Sequence, residues 1–255
     1  MRIQHIRNAT MIIEADDKVI LVDPMLGAKG FMPTLTLFRF KPKRNPIVGP
    51  PDNMEASLMW VTHCLITHLH PDHLDPEGER FLREKQIPVI CSVKDAKTLE
   101  KKGLHVSQTV DYWKRSEFLG GQIEGIPARH GYGFVAKPMG NVMGFYIELP
   151  NQPSIYLSSD TIYTPDVEKV LTDYQPAISV VACGSAQLDI FQPLLMSMED
   201  ILKFTRTAPK TVIMNHVEAV NHCPTTREDL RKAITANGWE DKALVPEDGE
   251  WMEVS

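Results

Sequence analysis

Residues 68–73 read His-x-His-x-Asp-His and follow directly on the apolar run "LMWVTHCLIT" at 58–67. That placement constrains the chain more than any other feature. If the run is a strand, the side chains of His68 and His70 leave its end on the same side. Pro71 then favours a turn, after which Asp72 and His73 can start a helix and present a second pair of ligands. Two adjacent groups of imidazole and carboxylate ligands suit a pair of divalent metals. The alternative is a polar surface loop after a strand.

A metal pair needs more ligands than one loop supplies, and they belong at the ends of other strands. His130 follows "GIPAR", Asp160 closes "SIYLSSD" and His216 closes "KTVIMNH". Any one of these alone reads as a turn residue; together they complete a set of seven with His68, His70, Asp72 and His73. His222 competes with His216 in "NHVEAVNHC". His216 sits at the strand end and is preferred as the ligand. His222 is a candidate for substrate contact or catalysis, or is simply a residue of the entry to a helix near Thr225. Asp23 either orients a ligand or belongs to turn chemistry before Pro24. Asp75 either accepts from a ligand histidine or caps the next turn. Glu218 either supports a ligand from outside or is solvated, with the solvated reading preferred, and His5 and His63 read as packing residues inside strands.

The remaining sequence fits a layered α/β chain. Short apolar runs recur at 11–15, 18–23, 89–91, 121–128, 141–149, 154–160, 177–183 and 210–216, and Asp16-Asp17 between the first two reads as a hairpin. Helical patterns fall at about 94–102, 165–173, 197–206 and 226–237. The last opens with the capping-box spacing Thr225-x-x-Glu228 and stops at Gly238. Hairpins come first and strand–helix alternation later, which predicts two mixed sheets with helices outside. The length of 255 residues suits one domain over 1–255, with no internal linker. The formal net charge of −6 argues against a nucleic-acid binder. No run is long enough for a signal peptide or membrane span, and the four cysteines are scattered, so a soluble cytoplasmic protein is expected.

Residues 24–51 differ from the rest. They carry six prolines, five lysines and arginines (Lys29, Arg39, Lys41, Lys43, Arg44) and no acidic residue between 24 and 51. An irregular basic insertion of this length is usually functional or mobile. It reads either as a lid drawing an anionic substrate to the metals or as a solvated loop or subunit contact.

The combination H-x-H-x-D-H with distant His130, Asp160 and His216 resembles the metallo-β-lactamase superfamily along the whole chain. Asp23 in "ILVDP" and the "LSSDT" motif around Asp160 are similar to that family's pattern, with Ser159 where glycine is common. The nearest resemblance is to the branch holding ascorbate-6-phosphate lactonase-like metal-dependent hydrolases. The resemblance implies a four-layer αββα sandwich. It implies one metal on His68, His70 and His130, a second on Asp72, His73 and His216, and Asp160 bridging. Zinc is the leading ion, with manganese and iron as options. It implies a hydrolase using a metal-bridging hydroxide on an ester-type bond of a small molecule, with a lactone as lead substrate and Asp72 handling the leaving-group proton. Phosphodiester cleavage is the alternative reaction, and a non-catalytic metal-binding module the alternative role. The seven intact ligands argue against the latter. A homo-oligomer stands as an option; nucleic acid and membrane partners are not expected.

Overall fold

Apolar runs rich in Ile and Val become strands throughout the chain, as their composition predicts. The computed structural model describes residues 1–254. The first half supplies β1 (Arg2–Arg7), β2 (Thr10–Ala15), β3 (Lys18–Val22), α1 (Met54–Leu58), β4 (His63–Ile66), α2 (Pro76–Glu84), β5 (Val89–Ser92), α3 (Ala96–Lys101) and β6 (Val106–Val110). The second half supplies β7 (Arg115–Phe118), β8 (Gly121–Pro127), β9 (Met143–Glu148), β10 (Ile155–Leu157), α4 (Pro165–Lys169), β11 (Ile178–Ala182), α5 (Met198–Thr207), β12 (Thr211–Asn215), α6 (Arg227–Asn237) and β13 (Ala243–Leu244). The closing strand β14 (Trp251–Glu253) returns to pair with β1.

Two seven-stranded sheets result, ordered β14-β1-β2-β3-β4-β5-β6 and β13-β12-β11-β10-β9-β8-β7. In the first, pairing is antiparallel from β14 to β3 and parallel from β3 to β6. In the second, it is antiparallel from β7 to β10 and parallel from β10 to β13. The expected order of hairpins before strand–helix alternation therefore occurs once in each half, not once along the chain.

The side chains show why both sheets are mixed and apolar on both faces. Met11, Ile13, Ile20, Val22 and Leu65 of the first sheet meet Phe145, Ile147, Val180 and Ile213 of the second in the central core. The alternate residues Ile12, Leu21, Cys64 and Ile66 face outward under Leu58, Leu82 and Leu99 of α1, α2 and α3. Val181, Val212 and Met214 likewise lie under Val167, Phe204 and Leu230 of α4, α5 and α6. This period of two produces four layers, helix–sheet–sheet–helix, as expected. Each fully buried aliphatic side chain contributes about 1.5–3 kcal/mol.

Several local readings shift. Strand structure in the run 58–67 is confined to β4, because Leu58 ends α1. The α6 cap is Thr226, whose hydroxyl accepts from the Asp229 amide while the Asp229 carboxylate returns to the Thr226 amide. It is one residue beyond the Thr225/Glu228 pair, and either pair satisfies the sequence pattern. Asp72 and His73 lie in a turn, and the helix starts at Pro76 with Asp75 as its cap. Regular helix after Pro165 ends at Lys169, and residues 170–174 widen into a π turn. The insertion at 24–51 is irregular, apart from one bridge between Met32 and Asn45. No helix among the described residues is long and apolar enough to cross a membrane.

Candidate metal centre

All the candidate ligands lie just past the C-terminal ends of strands, on one edge of the two sheets. Residues 67–73 follow β4, His130 follows β8, Asp160 follows β10 and His216 follows β12. Carboxyl ends of parallel strands are where open α/β sheets collect their ligands. The two sheets are tied here by backbone bonds, from the Met143 amide to the Thr67 carbonyl (3.1 Å) and from the His216 amide to the Asn8 carbonyl (2.9 Å).

The turn at 70–74 is closed by the His70 carbonyl, which accepts from the amides of His73 and Leu74 at 2.9 Å each. This swings Asp72 and His73 away from His70 and separates the ligands into two groups. His68, His70 and His130 offer ligand atoms all within 4.8 Å of one another, and so do Asp72, His73 and His216. Asp160 lies between the groups. Its Oδ2 is 3.5 Å from His130 Nε2 and 4.0 Å from His68 Nε2, while its Oδ1 is 3.3 Å from His73 Nε2 and 3.6 Å from His216 Nε2. The seven residues chosen from the sequence are thus brought together.

A third grouping, Asp23 with His68 and His73, also falls within 4.8 Å. Asp23 contacts His73 through the far ring nitrogen, Nδ1, at 2.8 Å, so it orients the histidine instead of sharing a metal with it. The Asp23 carboxylate also accepts from the Thr67 amide (2.8 Å) and hydroxyl (2.6 Å), and that hydroxyl lies 3.0 Å from His68 Nδ1. His130 Nδ1 faces the Leu194 carbonyl at 3.0 Å, and His216 Nδ1 faces Cys223 Sγ at 3.7 Å. Such outer partners fix which ring nitrogen points at the metal. Asp23, Ser159 and His216 hold φ of 45°, 59° and 58°, the left-handed region that non-glycine residues enter at a cost. Three of the twelve non-glycine residues with positive φ among the described residues thus lie beside or within the ligand set.

Two glycines make the close approaches possible. A Cβ on Gly78 would sit 2.0 Å from the Pro24 carbonyl oxygen, so only glycine lets α2 seat against the Asp23–Pro24 turn. A Cβ on Gly184 would sit 2.4 Å from the His216 carbonyl oxygen and 2.6 Å from Cys223 Sγ.

The donor set fits metal ions. His68 Nε2 and Asp160 Oδ1 are buried without a hydrogen-bond partner, a costly state for polar atoms that metal ligation relieves. Burial opposes charge on Asp72 and Asp160, yet neighbouring histidines hold both well below the usual carboxylate range. Burial also opposes charge on His73, yet Asp160 and Asp23 hold its pKa up at about 10. On His68, burial and the neighbouring His73 act together and push the pKa well down. The carboxylates therefore draw positive charge toward the His73 and His216 nitrogens, which lie 3.2 Å apart.

The other sequence candidates resolve individually. His222 is buried, its Nδ1 has no partner, and burial lowers its pKa to about 4 against the pull of Asp72. Asp75 caps α2, accepting from the Gly78 and Gly27 amides at 2.7 and 2.6 Å, and touches no ligand histidine. Glu218 is not simply solvated, because Arg227 donates to it at 2.7 Å. His5 is fully buried in β1 and half-buried His63 begins β4. Two of the five basic residues of the insertion are tied down. Arg39 donates to the Asp189 carbonyl and the Gln187 side chain, and Arg44 to the carbonyls of Gly30 and Phe31. Lys29, Lys41 and Lys43 are exposed. Sequence reasoning missed Thr67, although it directly precedes the histidine motif. It also missed the Leu194 carbonyl, which has no side-chain signal, and Cys223.

A model of the beta-lactamase superfamily domain matches residues 18–217. The chain belongs to the metallo-β-lactamase superfamily. Within that superfamily it is 32% identical over 252 residues to the UPF0173 protein YddR of Bacillus subtilis, covering 98% of each chain. The solved structure of a possible metal-dependent hydrolase from Veillonella parvula is similar at 31% identity and TM-score 0.89, covering 99% of this chain and 98% of that one. The structure of an isothiocyanate hydrolase from Delia radicum gut bacteria is similar at 29% identity and TM-score 0.89, covering 99% of both.

Proposed function

We propose that this metal-dependent hydrolase holds two divalent ions and cleaves a small, neutral molecule at an electrophilic carbon. His68, His70 and His130 would hold one ion and Asp72, His73 and His216 the other. The observation that carries this reading is the aim of Asp160, whose two oxygens face different ligand groups. A divalent pair supplies an activated water near neutral pH and a Lewis-acid contact for the attacked bond.

The chain's own residues then divide the work. Asp72 has the most open carboxylate near the cluster, with a side chain 10% exposed against 3% for Asp160 and 2% for Asp23. It is placed to take the proton of the attacking water and return it to the leaving group. His222 is buried and uncharged, and offers the substrate a hydrogen bond instead of a charge. Asp23 and Thr67 keep His73 and His68 in their ligand orientation.

Two substrate classes fit a neutral carbon electrophile. The first is an ester, with a lactone leading, on the strength of the resemblance drawn from the sequence. The second is an isothiocyanate, favoured by the 29% identical relative. Water would add across the C=N bond, and the thiocarbamic acid formed would release an amine and carbonyl sulfide. The engagement of Arg39 and Arg44 within the protein supports a neutral substrate over a phosphodiester.

The test is turnover of lactones, isothiocyanates and bis(4-nitrophenyl) phosphate by zinc- and manganese-loaded protein, with and without chelator. Chelator-sensitive cleavage of either carbon electrophile is expected. Faster cleavage of the phosphodiester would replace this reading with the phosphodiesterase one.

A further inference from the structure

Nine large apolar side chains are exposed among the described residues, and six of them (Leu35, Leu37, Phe38, Phe134, Ile190, Phe191) lie on three loops around one feature. Phe38 is 86% exposed, Ile190 81% and Phe134 73%. Single exposed apolar residues are ordinary, but a contiguous patch marks a binding surface.

Hydrogen bonds and one ring contact tie the three segments to one another and to the ligand cluster. The amides of Leu37, Phe38 and Arg39 donate to the Asp189 carboxylate at 2.8–2.9 Å, which ties the backbone at Phe38 to the residue that precedes Ile190 and Phe191. The Phe191 ring meets Phe134 edge-on, with centroids 6.3 Å apart. The chain then returns to the metal ligands: the Tyr132 amide donates to Pro193 (3.2 Å), and the Leu194 carbonyl meets His130 Nδ1 (3.0 Å). On the other side, the Gln187 amide donates to the His222 carbonyl at 2.9 Å.

Beneath the apolar side chains runs a polar frame. The Asn221 side chain accepts from the Leu35 amide (3.1 Å) and Asn45 Nδ2 (2.9 Å), and donates to the Thr34 and Thr36 hydroxyls (2.9 Å each). The loop backbone is thus fixed from below, and the apolar side chains are held outward. A rigid, apolar surface beside a few polar groups is how small-molecule sites are built, because little order is lost on binding.

We infer that these six side chains form a collar that binds the apolar body of the substrate, so that the enzyme selects alkyl- or aryl-bearing molecules. The inference rests on the proposed hydrolysis of a neutral electrophile and names what that electrophile must carry.

The test compares metal-loaded wild type with the triple variant Phe38→Ser, Phe134→Ser, Ile190→Ser, and with Phe38→Ser alone in case the triple variant does not fold. Metal content and unfolding midpoint check the fold. Binding is read by titrating the neutral fluorophore N-phenyl-1-naphthylamine, which needs no turnover. Selectivity is read as the ratio of kcat/KM for δ-dodecalactone over δ-valerolactone, and for phenyl over methyl isothiocyanate. Fluorophore affinity and both ratios should fall about 10- to 100-fold in the triple variant, the range that a few apolar groups control. If no substrate turns over, the proposed reaction fails while the fluorophore titration still decides the collar. Unchanged fluorophore affinity would overturn the inference. So would a wild-type dimer that the variant converts to monomer, or wild-type flotation with phosphatidylcholine–phosphatidylglycerol vesicles that the variant loses. The patch would then belong to a second copy or to a lipid surface.

Discussion

The ligand floor and the apolar collar are linked through Leu194 and His222 but are anchored by different means. Each floor residue stands within a few positions of a strand end, and most have a second partner holding the ring: Asp23 for His73, Thr67 for His68, the Leu194 carbonyl for His130. Their positions are inherited from two hydrogen-bonded sheets with a shared core. The collar comes from irregular segments held by side chains, chiefly Asn221 and Asp189, across sequence separations of about 150 residues or more. A floor built on sheets suits chemistry that needs fixed geometry, and a collar built on loops suits selectivity that can change without disturbing it.

If that division is right, the largest effects come from the floor. Asp160→Ala removes the carboxylate whose two oxygens point at different ligand groups. It should lose at least one metal per chain and reduce kcat by more than the roughly 10- to 100-fold cost of losing an outer partner. Elemental analysis and steady-state kinetics would check this, and full metal content in the variant would break the bridging assignment. Asp23→Asn should leave the fold intact and weaken metal binding by about 10- to 100-fold, measured against a competing chelator. Unchanged affinity would mean that His73 does not need its Nδ1 partner.

Changes in the collar's frame should be smaller and of another kind. Asn221→Ala leaves the Leu35 amide and the Thr36 hydroxyl without their partner and removes one of the contacts of Asn45 and Thr34, so it should cost about 1–3 kcal/mol of stability. Metal content should stay at the wild-type value while substrate selectivity drifts. Metal loss in this variant would blur the boundary between floor and collar.

The same division explains what the sequence reveals. The seven candidate ligands are legible because four crowd into residues 68–73 and three lie at the ends of apolar runs, so local pattern and chemistry coincide. Asp23 is half legible: its position suggests a role, but its contact with His73 spans 50 residues. The collar is illegible, because nothing in "LTLFRF" says that Asp189 will gather its amides. The short helix α2 escapes the pattern reading, since only Gly78 and Leu82 are buried and five of its other seven residues are charged. The α6 cap slips by one residue because Thr225 and Thr226 each have an acid three positions on, and backbone geometry alone separates them. The basic residues at 29–44 read as either a lid for an anion or a solvated loop; Arg39 ties the insertion to the 187–189 loop and Arg44 holds the insertion's own backbone, while Lys29, Lys41 and Lys43 are exposed.

The central claim is that Asp160 joins two metal-holding groups. The most direct test is metal stoichiometry by elemental mass spectrometry, on protein purified without added metal and then reconstituted with zinc or manganese. Close to two metals per chain, both removed by chelator together with turnover, is the predicted result. One metal at saturation would contradict the two-ion arrangement, and none would contradict the assignment of the histidine–aspartate cluster as a metal centre.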